Sequence, residues 1–160
     1  MSQASLALQS LLLYCRPGFE KECAAEIQDQ THKMEVLGYS KASPDTGFVL
    51  FTPYQESDMA VLGKQLNFAN LCFARQLVAV LPLLSKLPVN DRISPLLESA
   101  SILARQFSAA WLETADTNEA KELAVFVRKF EGPLNRALVD AGLASLKPAA
   151  PRLQDRKSVV

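Results

Sequence analysis

Hydrophobic and polar positions in the first half of the chain alternate between short apolar runs and helical spacing. Residues 11–15 form an apolar run that Pro17-Gly18 ends, and its shortness predicts a buried strand rather than a helix. In residues 19–30 the apolar positions recur four apart, with glutamates in the first turn, which predicts an amphipathic helix. The pattern then predicts strands over 34–40 and 48–52, a helix over 57–66 with Ser57 as its cap, and a buried strand over 71–84.

The order of these elements is strand, helix, strand, strand, helix, strand. This is the order of the ferredoxin-like βαββαβ fold, in which two helices cover one face of an antiparallel sheet. Proline and asparagine in residues 87–90 interrupt the pattern and indicate a domain boundary. Residues 1–86 are therefore predicted to be a ferredoxin-like domain.

The second half of the chain combines one clear strand with several helices. Ser94-Pro95 predicts the start of a helix, because serine is a favourable cap and proline a favourable first helical residue. Alternation over 110–115 predicts a strand. The sequence Asp116-x-x-Glu119 is a variant of the capping box, so another helix is expected to begin there.

That helix is expected to end at Gly132-Pro133, where a further helix over 133–141 begins. One side of the longer helix is predicted to be apolar and consists of Leu123, Phe126, Val127 and Phe130. Of these residues, Leu123, Val127 and Phe130 are expected to be buried.

A single strand cannot satisfy its own backbone hydrogen bonds, so the second half is predicted to be incomplete. Residues 90–152 are assigned to this partial α/β domain. Residues 153–160 have no core pattern and are predicted to be a tail that is disordered or added to the natural sequence.

Composition places the chain among ordinary globular proteins, with 49% apolar and 21% charged residues and a formal net charge of zero. No overall electrostatic field therefore favours a nucleic acid or a membrane. The three cysteines have no Cys-x-x-Cys spacing, which argues against a zinc site and fits a reducing compartment. The apolar run before Arg16 is too short to span a bilayer, so we expect a cytoplasmic protein with no membrane partner.

No arrangement of residues in the sequence predicts catalysis. His32 is the only histidine and lies at a predicted helix end, where a solvated or capping role is favoured over a chemical one. Cys15 lies in an apolar strand, where a thiol is unreactive as a nucleophile. The glycines are isolated and form no phosphate-binding loop. We therefore predict no catalytic, cofactor-binding or metal-binding residue in these 160 residues.

The chemical asymmetry of the chain is an excess of basic residues near its end. Residues 128–157 include seven lysines or arginines against three acidic residues. This pattern is typical of a solvated helix face, which spacing alone favours, but it also fits a phosphate-binding face. The candidate phosphate-binding residues are Lys121, Arg128, Lys129, Arg136, Lys147 and Arg152.

Several stretches of the sequence, in the same order along the chain, resemble one family. They are residues 13–26, which include Arg16-Pro17-Gly18-Phe19-Glu20, and residues 73–76, 115–123, 126–130 and 138–142. Together they resemble the N-terminal portion of the RlmM family, bacterial methyltransferases that modify the 2′-hydroxyl of a cytidine ribose in 23S ribosomal RNA. The resemblance implies a ferredoxin-like domain, then a THUMP domain, then a Rossmann-type domain that binds S-adenosylmethionine.

The fold class implied is α+β, a ferredoxin-like βαββαβ domain followed by an incomplete THUMP-type α/β domain. The catalytic residues of the family lie in the Rossmann-type domain, so the resemblance places none of them on this sequence. It implies that the chain recognises 23S ribosomal RNA, that the methyltransferase domain is a partner, and that the unpaired THUMP strands permit a homo-oligomer. The alternative is a protein–protein, dimerisation or interdomain docking module with no direct RNA contact.

Overall fold

The computed structural model describes residues 8–103 and 110–144 in full and residues 153–157 as backbone. The chain divides into two compact units, Met1–Pro82 and Leu83–Val160. Among the described residues, no helix combines the length and the apolar character that crossing a membrane requires.

The first unit has the predicted order of elements. The elements are β1 (Ser10–Cys15), α1 (Glu20–Lys33), β2 (Gly38–Ala42), β3 (Phe48–Pro53), α2 (Asp58–Gln65) and β4 (Ala74–Val80), with a 3₁₀ turn at Phe68–Asn70. The strands form one sheet in the order β2-β3-β1-β4, and every neighbouring pair is antiparallel. The predicted ferredoxin-like α+β topology is therefore confirmed.

The core of the first unit lies between one face of the sheet and the two helices. Alternate residues of the central strands point to this face, and Leu13 and Phe51 there are fully buried. Helix α1 adds Cys23 and Ile27, which are four residues apart and therefore share one side, and α2 adds Leu62. The apolar residues two apart in the strands and four apart in the helix therefore pack together in one layer.

A buried carboxylate holds two loops of the first unit together. Glu20 is 3% exposed and accepts hydrogen bonds from the backbone N–H groups of Gly18, at 3.0 and 3.1 Å, and Gly47, at 2.9 Å. Burial raises the pKa of Glu20, but the backbone donors of Gly47 and Gly18 outweigh it, and the pKa lies below its ordinary value of 4.5. Glu20 is therefore ionised at neutral pH and stabilises both loops.

Three details of the first unit differ from the sequence-based predictions. The strand predicted over 34–40 lies at Gly38–Ala42 as β2. The run 71–84 is not a buried strand throughout, because β4 pairs only with β1 at the edge of the sheet and is half-exposed. Ser57 makes no side-chain capping hydrogen bond to α2. An apolar run is a poor predictor of burial for an edge strand, because an edge strand lacks one neighbouring strand.

The second unit is a smaller α/β arrangement. It contains α3 (Ile93–Ile102), β5 (Ala110–Thr114), α4 (Asn118–Glu122), α5 (Ala124–Asp140) and β6 (Leu153–Lys157). Helix α5 packs on β5, and their buried residues Leu112, Val127, Leu134 and Leu138 form the core together with Ala100 of α3. The predicted helix from Ser94-Pro95 is present, but its first N–H groups are capped by Asp91.

The predicted break at Gly132-Pro133 is wrong. Helix α5 runs through both residues as one helix of 17 residues, and the interruption falls at Leu123, between α4 and α5. Proline inside a helix costs about 3 kcal/mol. Leu134 and Leu138 are each 1% exposed, and full burial of a leucine contributes about 1.5–3 kcal/mol. Packing of these two side chains therefore offsets the local preference to break.

The prediction of a lone strand and a structureless tail also needs correction. The backbone of Leu153–Lys157 forms β6, which pairs parallel with β5 from Ala110↔Leu153 to Thr114↔Lys157. The sequence 153–157 has no alternating apolar pattern. Pairing of backbone groups needs no such pattern, which is why periodicity missed this strand.

Candidate nucleic-acid interface

The exposed side of α5 carries three of the predicted basic residues. Arg128, Lys129 and Arg136 are exposed, whereas the buried side faces β5. At about 100° per residue, Arg136 lies about 20° around the helix from Lys129 and about 80° from Arg128. Eight residues at about 1.5 Å each place Arg136 about 12 Å along the axis from Arg128. We call Arg128, Lys129 and Arg136 the basic face of α5.

The continuity of α5 creates this face. The sequence-based prediction assigned Arg136 to a separate helix after Gly132-Pro133, with no fixed relation to Arg128. Because one helix contains all three residues, their relative positions are set by helical geometry and by the packing of the opposite side on β5.

The carboxylates of the described residues form no ion pair with the basic face. Within the described ranges, no ion pair within 4.0 Å joins Arg128, Lys129 or Arg136 to an acid. Glu131 is directed to β5, where its carboxylate accepts a 3.5 Å hydrogen bond from the backbone N–H of Leu112. Asp140 lies one turn after Arg136 and is the acid that shares this side of the helix. Among the described residues, the basic face therefore has no acid within ion-pair distance.

The other three candidates are not brought onto this face. Lys121 belongs to α4, and its ammonium lies 3.9 Å from a carboxylate oxygen of Asp116, with both side chains more than 60% exposed. Such an exposed pair contributes little to stability. Lys147 and Arg152 lie outside the described residues, so their role stays a prediction.

The start of α4 differs from the predicted capping box. The hydroxyl of Thr117, rather than the carboxylate of Asp116, accepts a 3.1 Å hydrogen bond from the backbone N–H of Ala120. The carboxylate of Asp116 lies 3.9 Å from the ammonium of Lys121. The cap lies one residue later than expected because threonine takes the extended conformation that a cap requires.

An aromatic feature beside the basic face was not anticipated. The predicted burial of Leu123 is wrong, since it is 36% exposed, and Phe126 on the same side is equally exposed. Phe126 and Phe130 line a cleft together with residues 89–93. Their spacing of four residues correctly predicts that Phe126 and Phe130 lie on the same side of the helix. Spacing alone cannot show that a loop, rather than the core, lies opposite Phe126.

The thiols and the histidine give no support for chemistry in the first unit. Burial and then Glu20 raise the pKa of Cys15, and burial raises the pKa of Cys23 to about 12. Both thiols are therefore protonated at neutral pH and unreactive. His32 is exposed in the last turn of α1. Among the described residues, no group of three His, Cys, Asp or Glu side chains is arranged to hold a metal ion.

Edge protection of β5 is a second role of α5. The side-chain amide of Asn135 accepts a 2.7 Å hydrogen bond from the N–H of Ala110 and donates a 2.8 Å hydrogen bond to its carbonyl. Glu131 covers Leu112, two residues along the strand. Alternate residues of a strand direct their backbone groups to the same edge. Side chains of α5 therefore occupy an edge that sequence analysis left open for a second copy.

Comparison with known proteins identifies both units. Residues 8–78 match the RlmM ferredoxin-like domain, and residues 91–153 match the N-terminal domain of ribosomal RNA large subunit methyltransferase M. The chain is 51% identical over 144 residues to the ribosomal RNA large subunit methyltransferase M of Methylococcus capsulatus, covering 90% of this chain and 40% of that protein.

Proteins of the same name from two other bacteria show similar likeness. The chain is 48% identical over 135 residues to the one from Tolumonas auensis and 46% identical over 136 residues to one from Klebsiella pneumoniae. These matches cover 84% and 85% of this chain and 37% of each relative, so the chain spans about two fifths of the length of these proteins. The chain belongs to the RlmM family and corresponds to its N-terminal part.

Proposed function

We propose that this chain is the RNA-recognising part of an S-adenosylmethionine-dependent methyltransferase that modifies the 2′-hydroxyl of a cytidine ribose in 23S ribosomal RNA. Its task is to hold cytoplasmic ribosomal RNA so that one ribose reaches a separate catalytic domain. The observation that carries the proposal is the basic face of α5, three exposed cationic side chains at fixed positions on one helix. The predicted THUMP identity of the second unit is part of the same proposal.

The chemistry of the basic face suits the RNA backbone. Two guanidinium groups and one ammonium group bind phosphate oxygens, and such contacts position a nucleic acid without reading its sequence. Because α5 is anchored on β5 by Leu134 and Leu138, the three groups are held on a rigid support. A rigid basic support recognises the shape of a folded RNA, which is how proteins bind helical RNA.

We place the S-adenosylmethionine site outside the described residues. A Rossmann-type cofactor site brings a glycine-rich loop close to its ligand. At Gly38 an added Cβ would lie 2.5 Å from the carbonyl oxygen of Thr52, so this glycine accommodates the neighbouring strand and not a ligand. Gly63 and Gly132 lie within helices, with open space beside them. We therefore assign the cofactor and the methyl transfer to the remaining part of the enzyme.

The test is RNA binding as a function of salt concentration. The variant Arg128→Ala/Lys129→Ala/Arg136→Ala should weaken binding of the chain to 23S ribosomal RNA. If all three residues contact phosphates, the slope of log affinity against log salt should fall by about 2–3. Each substitution is on the surface and should change the free energy of unfolding by less than about 0.5 kcal/mol.

A matched control removes the same charge from the first unit. Lys21, Lys33 and Lys64 are exposed lysines on α1 and α2, and their replacement by alanine changes the net charge equally. The control variant should keep the wild-type salt slope. Equal slopes for all three proteins would contradict the proposed role of α5, and equal loss in both variants would indicate only a general charge effect.

The alternative function is docking to another protein or to the catalytic domain. The outer edges of β2 and β4 support it, since neither has a second strand partner among the described residues. Dimerisation that depends on concentration, without RNA affinity, would favour this alternative over RNA recognition.

A further inference from the structure

A cleft of about 400 Å³ adjoins the basic face of α5. Residues 89–93 form one wall, and Phe126 and Phe130 of α5 form the other. All of these residues belong to the second unit. Exposed aromatic surface is unfavourable in water, so an aromatic wall in a polar cleft is a typical feature of a binding site. Contacts between the basic face and RNA phosphates do not require this aromatic wall.

Planar groups from the two walls approach each other at Phe126. The guanidinium carbon of Arg92 lies 4.9 Å from the ring centroid of Phe126. The rings of Phe126 and Phe130 are stacked, with centroids 5.6 Å apart and an interplanar angle of 16°. Phe126 is 36% exposed, so part of its ring remains accessible to solvent. A guanidinium group beside two nearly parallel rings offers a surface on which another planar, electron-rich group can lie.

The opposite wall is fixed by hydrogen bonds. The carboxylate of Asp91 accepts from the backbone N–H groups of Ile93, at 3.2 Å, and Ser94, at 3.1 Å, and from the Ser94 hydroxyl. The hydrogen bonds from the Ser94 hydroxyl and the two N–H groups hold the pKa of Asp91 below its ordinary value of 3.8, so this anchor is ionised at neutral pH. The segment that presents Arg92 is therefore preorganised before any ligand arrives.

We infer that this cleft holds an unpaired nucleobase of the RNA, stacked against Arg92 and Phe126. The inference rests on the proposed function and adds to it a contact with a base beside the contacts with phosphates. Unpaired bases bind to proteins by stacking on aromatic rings or guanidinium planes. The exposed amide of Asn90 lines the same cleft and offers a donor and an acceptor to a base edge.

The position of the cleft on α5 supports a nucleotide over an apolar peptide. Lys129 lies about 60° around the helix from Phe126, at about 100° per residue, and is one residue before Phe130. A base in the cleft would thus have a cationic side chain of the basic face beside its phosphate. An apolar peptide would offer no acceptor or negative charge to the cationic groups of Arg92 and Lys129.

The experiment uses the whole chain and a short single-stranded RNA that contains one 2-aminopurine. Fluorescence anisotropy of an end label reports binding, and quenching of 2-aminopurine reports stacking. With the wild-type chain we expect both signals. Phe126→Leu, which keeps apolar bulk but removes the ring, should abolish quenching and weaken binding about fivefold or more, whereas Phe126→Tyr should retain quenching.

Two controls separate the cleft from the basic face and from general loss of phenylalanine. Phe73→Leu alters an exposed phenylalanine of the first unit, 38% exposed, and should leave both signals unchanged. Arg128→Ala/Lys129→Ala should weaken binding but keep full quenching at saturation. The fluorescence of Trp111 in urea verifies that the Phe126 variants remain folded.

The outcomes distinguish the two proposals. Binding without quenching, or quenching that survives Phe126→Leu, would overturn the nucleobase site and leave backbone recognition intact; a cleft that docks a protein segment would give this result. Absence of any RNA binding by the folded wild-type chain would overturn the proposed function and the nucleobase site together.

Discussion

Replacement of Asn135 by alanine should destabilise the second unit strongly. The Asn135 amide makes three hydrogen bonds, one to the N–H and one to the carbonyl of Ala110, and one to the carbonyl of Glu131. Ala110 is fully buried, so Asn135→Ala leaves its two backbone groups without these partners. A buried polar group that loses its partner costs about 1–3 kcal/mol. We expect a loss of about 2–4 kcal/mol for the two groups together.

Trp111 makes this loss measurable in the second unit alone. It is the only tryptophan of the chain and follows Ala110 in β5. Urea unfolding followed by its fluorescence therefore reports the unit that contains Asn135. In thermal unfolding the same change corresponds to a midpoint lowered by at least about 8 °C, for a unit of this size.

The matched control for this prediction is Asn118→Ala, an exposed asparagine in the first turn of α4. It should change the free energy of unfolding by less than about 0.5 kcal/mol. If Asn135→Ala also stayed within about 0.5 kcal/mol of the wild type, the argument that α5 side chains satisfy the edge of β5 would be refuted.

Three further predictions concern the first unit. Glu20→Gln should lower the free energy of unfolding by about 2–3 kcal/mol at neutral pH. Because the folded pKa of Glu20 lies below 4.5, the wild type should lose this advantage as the pH falls through that folded pKa. Urea titrations from pH 7 to 3 that showed a constant difference between the two proteins would contradict this prediction. Gly38→Ala should destabilise the first unit by about 1–3 kcal/mol, because its Cβ would meet the backbone of β3. Gly63→Ala has open space for its Cβ and should stabilise the unit by up to about 1 kcal/mol. Equal urea midpoints for the two variants would refute this contrast. A maleimide should modify Cys72 alone in the native chain, because the other two thiols are buried, and mass spectrometry showing three fast additions would disprove this.

The first unit was predictable because its local and tertiary preferences agree. Cys23 and Ile27 are four apart and both fully buried, and Val49 and Phe51 are two apart and both fully buried. Each spacing matches the period of its element, so the pattern reports the core face directly. Pro17-Gly18 also ends β1 where expected.

The second unit was less predictable because tertiary contacts override local ones. Gly132-Pro133 favours a break, but burial of the leucines that follow keeps α5 continuous and brings Arg136 onto the basic face. The cleft at Phe126 depends on a loop more than thirty residues earlier in the chain, which no local pattern encodes. The individual basic residues were identifiable from sequence, but their grouping was not.

RNA recognition by α5 is tested by mapping the amide NMR signals of the chain during titration with a 23S ribosomal RNA fragment. We predict that the largest shifts fall on exposed residues of α5, around Arg128 and Arg136, and on residues 89–93 beside them. The helices of the first unit should shift least. Shifts confined to the first unit, or RNA binding that leaves the α5 signals unchanged, would contradict RNA recognition by α5.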